Sequence, residues 1–255
     1  MGSAEIIQSV SGGLYFTIIT VVGVRLLLLA GRTRELPELL LGGSLILGGT
    51  IGSFVEAAGL SAASEVGPVI AGRLLLVGKL FGLAGFACEA FFIRRVFRPQ
   101  EVWAGVLMVV LLGILATAFL GYAWAGTFQG AGIHHGFFYL ELAARIAFPT
   151  WLFLEATRYA RLMKKRIRLG LADSVVANRF WLWSMIGALS VLLLLTSVPP
   201  ILLDPIADKA MLLVDMVLFS IAGVVLSAAT WLAFFPPAGY RRRIEARAAA
   251  LRAAS

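Results

Sequence analysis

Glu56, Arg73, Lys79, Glu141, Arg145 and Asp215 are ionisable residues set inside long apolar runs. An ion buried away from water costs several kcal/mol unless another charge or a ligand compensates it. Three acids set against three bases therefore point to pairing, and groups of this kind mark solute, ion or proton paths through membranes. Lys79 follows Pro68 by roughly 16 Å of helix, near a bilayer midplane. Asp215 follows Pro205 by nearly the same distance, so we expect Lys79 and Asp215 to face each other. Glu141 and Arg145 are an i, i+4 pair on one helix face. His134 and Glu155 fall on that same face and extend it into a polar stripe. Glu89 near Arg94, and Arg25, are expected to snorkel toward the inner interface or to pair there.

The chemistry such a set offers is acid–base switching: protonating a carboxylate breaks its ion pair and opens a path. The same residues would serve a receptor as a ligand pocket, or would simply fix helix register. An isomerase or cyclase acting on a lipid could use Glu141 or Asp215 as proton donor. Other enzyme chemistry leaves no trace. His134 and His135 are adjacent, which suits neither a di-iron site nor a haem held between facing helices. Gly-x-Ser-x-Gly, His-Glu-x-x-His and a glycine-rich phosphate loop are all missing. We therefore expect no catalytic residue, no metal and no cofactor. Retinal proteins carry their Schiff-base lysine in the seventh helix, where this chain has Asp215, and Lys79 would be in the wrong helix.

The elements that must hold these residues are membrane helices. Of 255 residues 60% are hydrophobic and 14% charged, with a mean hydropathy of +0.92, too little polar surface for a water-soluble globule. Seven segments reach the roughly 20 apolar residues that a span needs: about 10–30, 38–57, 67–93, 102–125, 135–158, 178–203 and 209–235, with a short basic tail over 236–255. Arg32 and Arg34, then Arg94, Arg95 and Arg98, then the series from Arg158 to Arg179, and finally Arg241, Arg242, Arg243, Arg247 and Arg252 all fall on one side. Lys209 stands alone on the other. That asymmetry orients the N-terminus outside and the C-terminus in the cytoplasm. It also accounts for the net charge of +8 without nucleic acid. Trp103, Trp181, Trp183 and Trp231 would mark the inner interface, and Tyr15, Tyr122, Trp124 and Tyr139 the outer one.

Cys88 is the one cysteine, which excludes an internal disulfide. The first 24 residues lack Lys and Arg, so no cleavable signal is expected. Arginine-rich, asparagine-poor composition fits a GC-rich bacterium and hence a bacterial cytoplasmic membrane. Ser44, Gly48 and Gly52 form a row of small residues in the second span, repeated by Gly78 and Gly82 in the third. Such rows let helix backbones approach closely, inside one chain or between two copies. Pro149 is expected to kink the fifth span.

Gly67-Pro68-Val69-Ile70 leading to Leu75-Leu76-Val77 aligns without a gap on Asp204-Pro205-Ile206-Ala207 leading to Leu212-Leu213-Val214. Spans one to three would then repeat as five to seven, in parallel, with the fourth as linker. This arrangement resembles the SWEET-type sugar transporters and, more loosely, the transporter–opsin grouping, in architecture only. Pro99-Gln100 lies in a connection and not inside a span as in PQ-loop proteins. The resemblance implies parallel repeats about an axis along the membrane normal.

We thus expect an all-α, seven-helix bundle that transports or conducts a small solute or ion, with proton coupling, through a polar pocket in the outer half. The alternatives are a seven-helix receptor or an accessory subunit of a larger complex. The partners expected are the bilayer, a small ligand or ion, and anionic lipid or an acidic protein at Arg158–Arg179.

Overall fold

The structure, a computed structural model, describes residues 3–61, 65, 67–125, 136–203 and 209–253; side chains 3–9, 197–203, 209–213 and 215 are outside that description. Among these residues there are helices and no strand. In chain order they are α1 (Ser3–Thr33), α2 (Leu36–Ser61), α3 (Pro68–Phe97), α4 (Val102–Ala125), α5 (Gly136–Arg168), α6 (Ser174–Leu203), α7 (Lys209–Phe234) and α8 (Ala238–Ala253). The first seven contain stretches long and apolar enough to cross a bilayer. The chain is an integral membrane protein. The tail read as a plain basic extension forms α8 over most of its length.

Local chemistry explains where the helices begin and end. Gly67 takes φ 80°, and Pro68 then opens α3 with the φ that a first helical position requires. Pro99 follows closely on the end of α3. At the end of α5, Gly170 adopts φ 70°, and Leu171 N–H donates to Arg166 C=O at 2.9 Å while Gly170 N–H donates to Ile167 C=O at 3.0 Å. That is a glycine C-cap satisfying the last carbonyls. Asp173 Oδ1 then accepts from the N–H groups of Val175 (2.6 Å) and Val176 (3.1 Å), capping α6.

The chain forms two compact units. One, Ile19–Phe148, holds most of α1, then α2, α3, α4 and the first part of α5. Its centre is a glycine crossing of α2 on α3. A Cβ on Gly48 would stand 3.2 Å from Gly85 Cα, and one on Gly52 would stand 3.0 Å from Gly82 N. A Cβ on Gly85 would collide with the Gly48 backbone. The row that could have joined two copies thus faces α3 of its own chain.

Ser44–Gly52 of α2 is a π-helix, with i→i+5 pairing. Thr50 Oγ1 donates to Leu45 C=O (3.1 Å) and Ser53 Oγ to Gly48 C=O (3.1 Å), each five residues back. These hydroxyls supply bonds that suit the widened turn, while its glycines permit the close approach. Thr20 and Thr50 hydroxyls, 3.0 Å apart, tie the segment to α1. π-turns are rare and concentrate at functional sites.

The other unit contains Pro149–Pro200, α7, α8 and the start of α1. Gly187 lets α6 lie against α5, since a Cβ there would meet Phe153 N at 2.8 Å. Trp183 packs edge-on to Phe180, with ring centroids 5.5 Å apart. Leu182 of α6 is buried with Ala229 and Ala233 of α7.

Candidate functional site

The polar groups of the Ile19–Phe148 unit converge from four helices. Lys79 on α3 donates to both oxygens of Glu141 on α5, at 2.8 Å each. Arg145, one turn further along α5, reaches Glu141 Oε1 at 2.6 Å through Nη2. The same Nη2 stands 3.4 Å from Glu56 Oε1 on α2. The four side chains form a charge-balanced chain, Lys79–Glu141–Arg145–Glu56, as burial of ions requires. Glu141 at its centre is 12% exposed.

Aromatic rings close the cluster. Lys79 Nζ lies 5.0 Å from the centroid of Tyr122 on α4, and the Arg145 guanidinium 5.9 Å from that of Phe86 on α3. Both are cation–π geometries. Phe86 stacks in turn on Phe148, centroids 5.2 Å apart. Among these groups, with Leu83, Leu115 and Phe119 as walls, is a cavity of about 20 Å³. That holds one water and no solute.

Glycines set the geometry. A Cβ on Gly78 would stand 2.7 Å from both the backbone N and Cγ of Glu56, so only glycine lets Glu56 pass α3 and reach Arg145. Gly82, read from sequence as the same device, differs: a Cβ on it meets nothing within 4 Å, and the residue borders the cavity.

The sequence reading placed Glu141 beside Arg145, and they pair. It also put Glu56 and Lys79 at one site, which they share. The described partner of Lys79 is Glu141; the side chain of Asp215 and the whole of His134 lie outside the described residues. Arg73 is exposed and forms no ion pair among the described residues. Glu155, on α5 in the other unit, is buried at 5% exposure. Glu89 is half-buried, and no ion pair joins it to Arg94 among the described residues. Arg94 instead packs its guanidinium where a Cβ on Gly105 of α4 would be met at 3.4 Å.

Tyr122 corrects one expectation. Read as part of an outer aromatic belt, it is 4% exposed and turned toward Lys79. It lies on the inward face of α4 with Leu115 and Ala118, both buried. That helical spacing was the available signal.

Comparison with protein-family models, with curated proteins and with solved structures finds no match.

Proposed function

We propose that this protein is a transporter or channel for an ion or small solute, coupled to protons through the Lys79–Glu141–Arg145–Glu56 cluster. The observation that carries this reading is the bridging of two cations on different helices by one carboxylate, Glu141. While ionised, Glu141 holds Lys79 of α3 against α5. Protonation removes the charge that both cations share and leaves Glu56 as the one acid of the cluster able to hold Arg145. Helix α3 is then released from α5, and the water-sized cavity between them widens into a path. Small size in the closed state favours protons or small ions over large solutes. The arginine-rich ends of the spans support an N-terminus outside a bacterial cytoplasmic membrane.

The test is flux of protons and of monovalent cations into proteoliposomes, wild type beside Lys79→Met. We expect wild-type flux that rises on acidification and a Lys79→Met flux that no longer responds. Vesicles as tight as protein-free ones at every pH, for both proteins, would overturn the proposal.

A receptor is the second reading. It is favoured by the exposed basic end of α5, held by α8 as a rigid stem on which a partner could dock. A ligand that shifts the melting temperature while no flux is seen would select it.

A further inference from the structure

The second compact unit carries a different feature, independent of the cluster. Arg241, Arg242, Arg243 and Arg247 on α8 and Arg161, Lys164, Lys165 and Arg166 on α5 are all exposed. None of them forms an ion pair among the described residues. Their position relative to the bilayer can be derived from side-chain contacts. Thr157 and Ser184 hydroxyls, 2.6 Å apart, bring α5 and α6 to one level. Arg179, about 7.5 Å nearer the arginine-rich end of α6, donates its Nε to Ala233 C=O at 3.0 Å, in the last turns of α7. Ala233 lies one residue before the end of the last apolar stretch, Met216–Phe234. Arg168 stands about 9 Å past the level of that contact, at 1.5 Å per residue.

Helix α8 begins just past this level. Its Tyr240 hydroxyl accepts from Asn178 Nδ2 at 3.0 Å, and its Ala248 packs on Ile167 and Ala177. Tyr240 and Ala248 are about 12 Å apart along α8, yet both meet neighbouring residues of α6, Asn178 and Ala177. Helix α8 therefore runs across the start of α6 and not along it. Tyr240, Ile244, Ala248 and Leu251, spaced at the helical period, face the body of the unit, and the arginines take the rest of the surface. A hollow of about 360 Å³, bordered by Asp173, Ser174, Arg241, Glu245 and Arg252, opens between α8 and the start of α6. The polar layer of a bilayer adds roughly 5–8 Å beyond the hydrocarbon on each side. The exposed basic groups, without an ion pair among the described residues, are within reach of that layer.

We propose that α8 and the basic end of α5 bind anionic phospholipid through their exposed arginines and lysines. Lipid fits better than a second copy, whose matching surface would be equally cationic. It fits better than an acidic protein because α8 runs across the end of a span, where headgroups gather, with its charge spread along an exposed face.

The test uses the full chain in nanodiscs of equal phosphatidylglycerol and phosphatidylcholine, released into native mass spectrometry to count retained lipids. Wild type should retain phosphatidylglycerol at least tenfold over phosphatidylcholine. The R241Q/R242Q/R243Q/R247Q variant should fall to near equality, since each basic residue contributes up to about fivefold. K164Q/K165Q should show a partial loss. These side chains are exposed and unpaired, so the variants should melt like wild type in phosphatidylcholine alone, which separates lipid binding from folding. Equal retention of the two lipids by wild type, or unchanged preference in the fourfold variant, would overturn the proposal. Displacement of the lipid by millimolar glycerol 3-phosphate would also overturn it, by showing a soluble phosphate as the ligand. Lipid-indifferent binding of an acidic protein at the same arginines would transfer the surface to a protein partner.

Discussion

Replacing Gly78 by alanine adds a carbon that would stand 2.7 Å from the backbone N and from Cγ of Glu56. Ordinary contact needs about 3.5–4.0 Å, so α2 and α3 must part by roughly 1 Å where they cross. Glu56 already sits 3.4 Å from Arg145, and that displacement takes it out of hydrogen-bonding range. Overpacking of this kind costs about 1–3 kcal/mol, against a gain of up to about 1 kcal/mol for alanine over glycine in a helix. Gly82→Ala, one turn further along α3, makes the same helical gain with no contact within 4 Å. The difference between the two variants therefore isolates the crossing, with Gly78→Ala the less stable by about 1–3 kcal/mol. Cys88, half-buried and close to Gly43 of α2, is a built-in reporter. A thiol-reactive dye follows its exposure on heating in detergent, and Gly78→Ala should melt several degrees below Gly82→Ala. Equal melting temperatures would refute the assignment of Gly78 as the residue that admits Glu56.

Glu141→Leu leaves Lys79 without its carboxylate and should destabilise by about 3–5 kcal/mol; the Lys79→Met, Glu141→Leu double variant should be less impaired than the sum of the singles, as Cys88 melting will show. Tyr122→Phe keeps the ring beside Lys79 and should cost about 1 kcal/mol or less, whereas Tyr122→Leu also removes the cation–π contact and should melt lower still. Gly187→Ala brings a Cβ to 2.8 Å from Phe153 N and should cost about 1–3 kcal/mol; Gly113→Ala, with open space around it, should be neutral or mildly stabilising. Asn178→Ala removes the hydrogen bonds to Tyr240, and hydrogen exchange of α8 should quicken without change in the spans.

The apolar spans were legible in the sequence, and direction around each helix largely was not. Seven apolar stretches follow from composition and spacing alone, because 1.5 Å per residue fixes reach. The Glu141–Arg145 pair was legible for the same reason, being i, i+4 on one helix. Contacts between helices depend on which face each turns inward, and several apolar faces look alike. Lys79 was matched by depth to Asp215, while its described partner is Glu141 on α5. Tyr122 was read as part of an outer aromatic belt, and it is buried beside Lys79. Gly78 and Gly82 look equivalent in sequence, yet one touches Glu56 and the other borders the cavity. The π-helical stretch Ser44–Gly52 was invisible, since its residues suit an α-helix equally well and only packing against α1 and α3 selects the wider turn.

The central claim is that the ionisation of Glu141 decides whether the cluster is closed. It is tested most directly by the pH dependence of flux through Glu141→Gln in proteoliposomes, measured beside wild type. Glutamine matches the protonated carboxyl in shape and cannot ionise. The expected result is a flux near the acid-stimulated wild-type level at every pH from 3 to 8. A variant that kept the wild-type rise on acidification would contradict the claim, because the titrating group would then lie elsewhere.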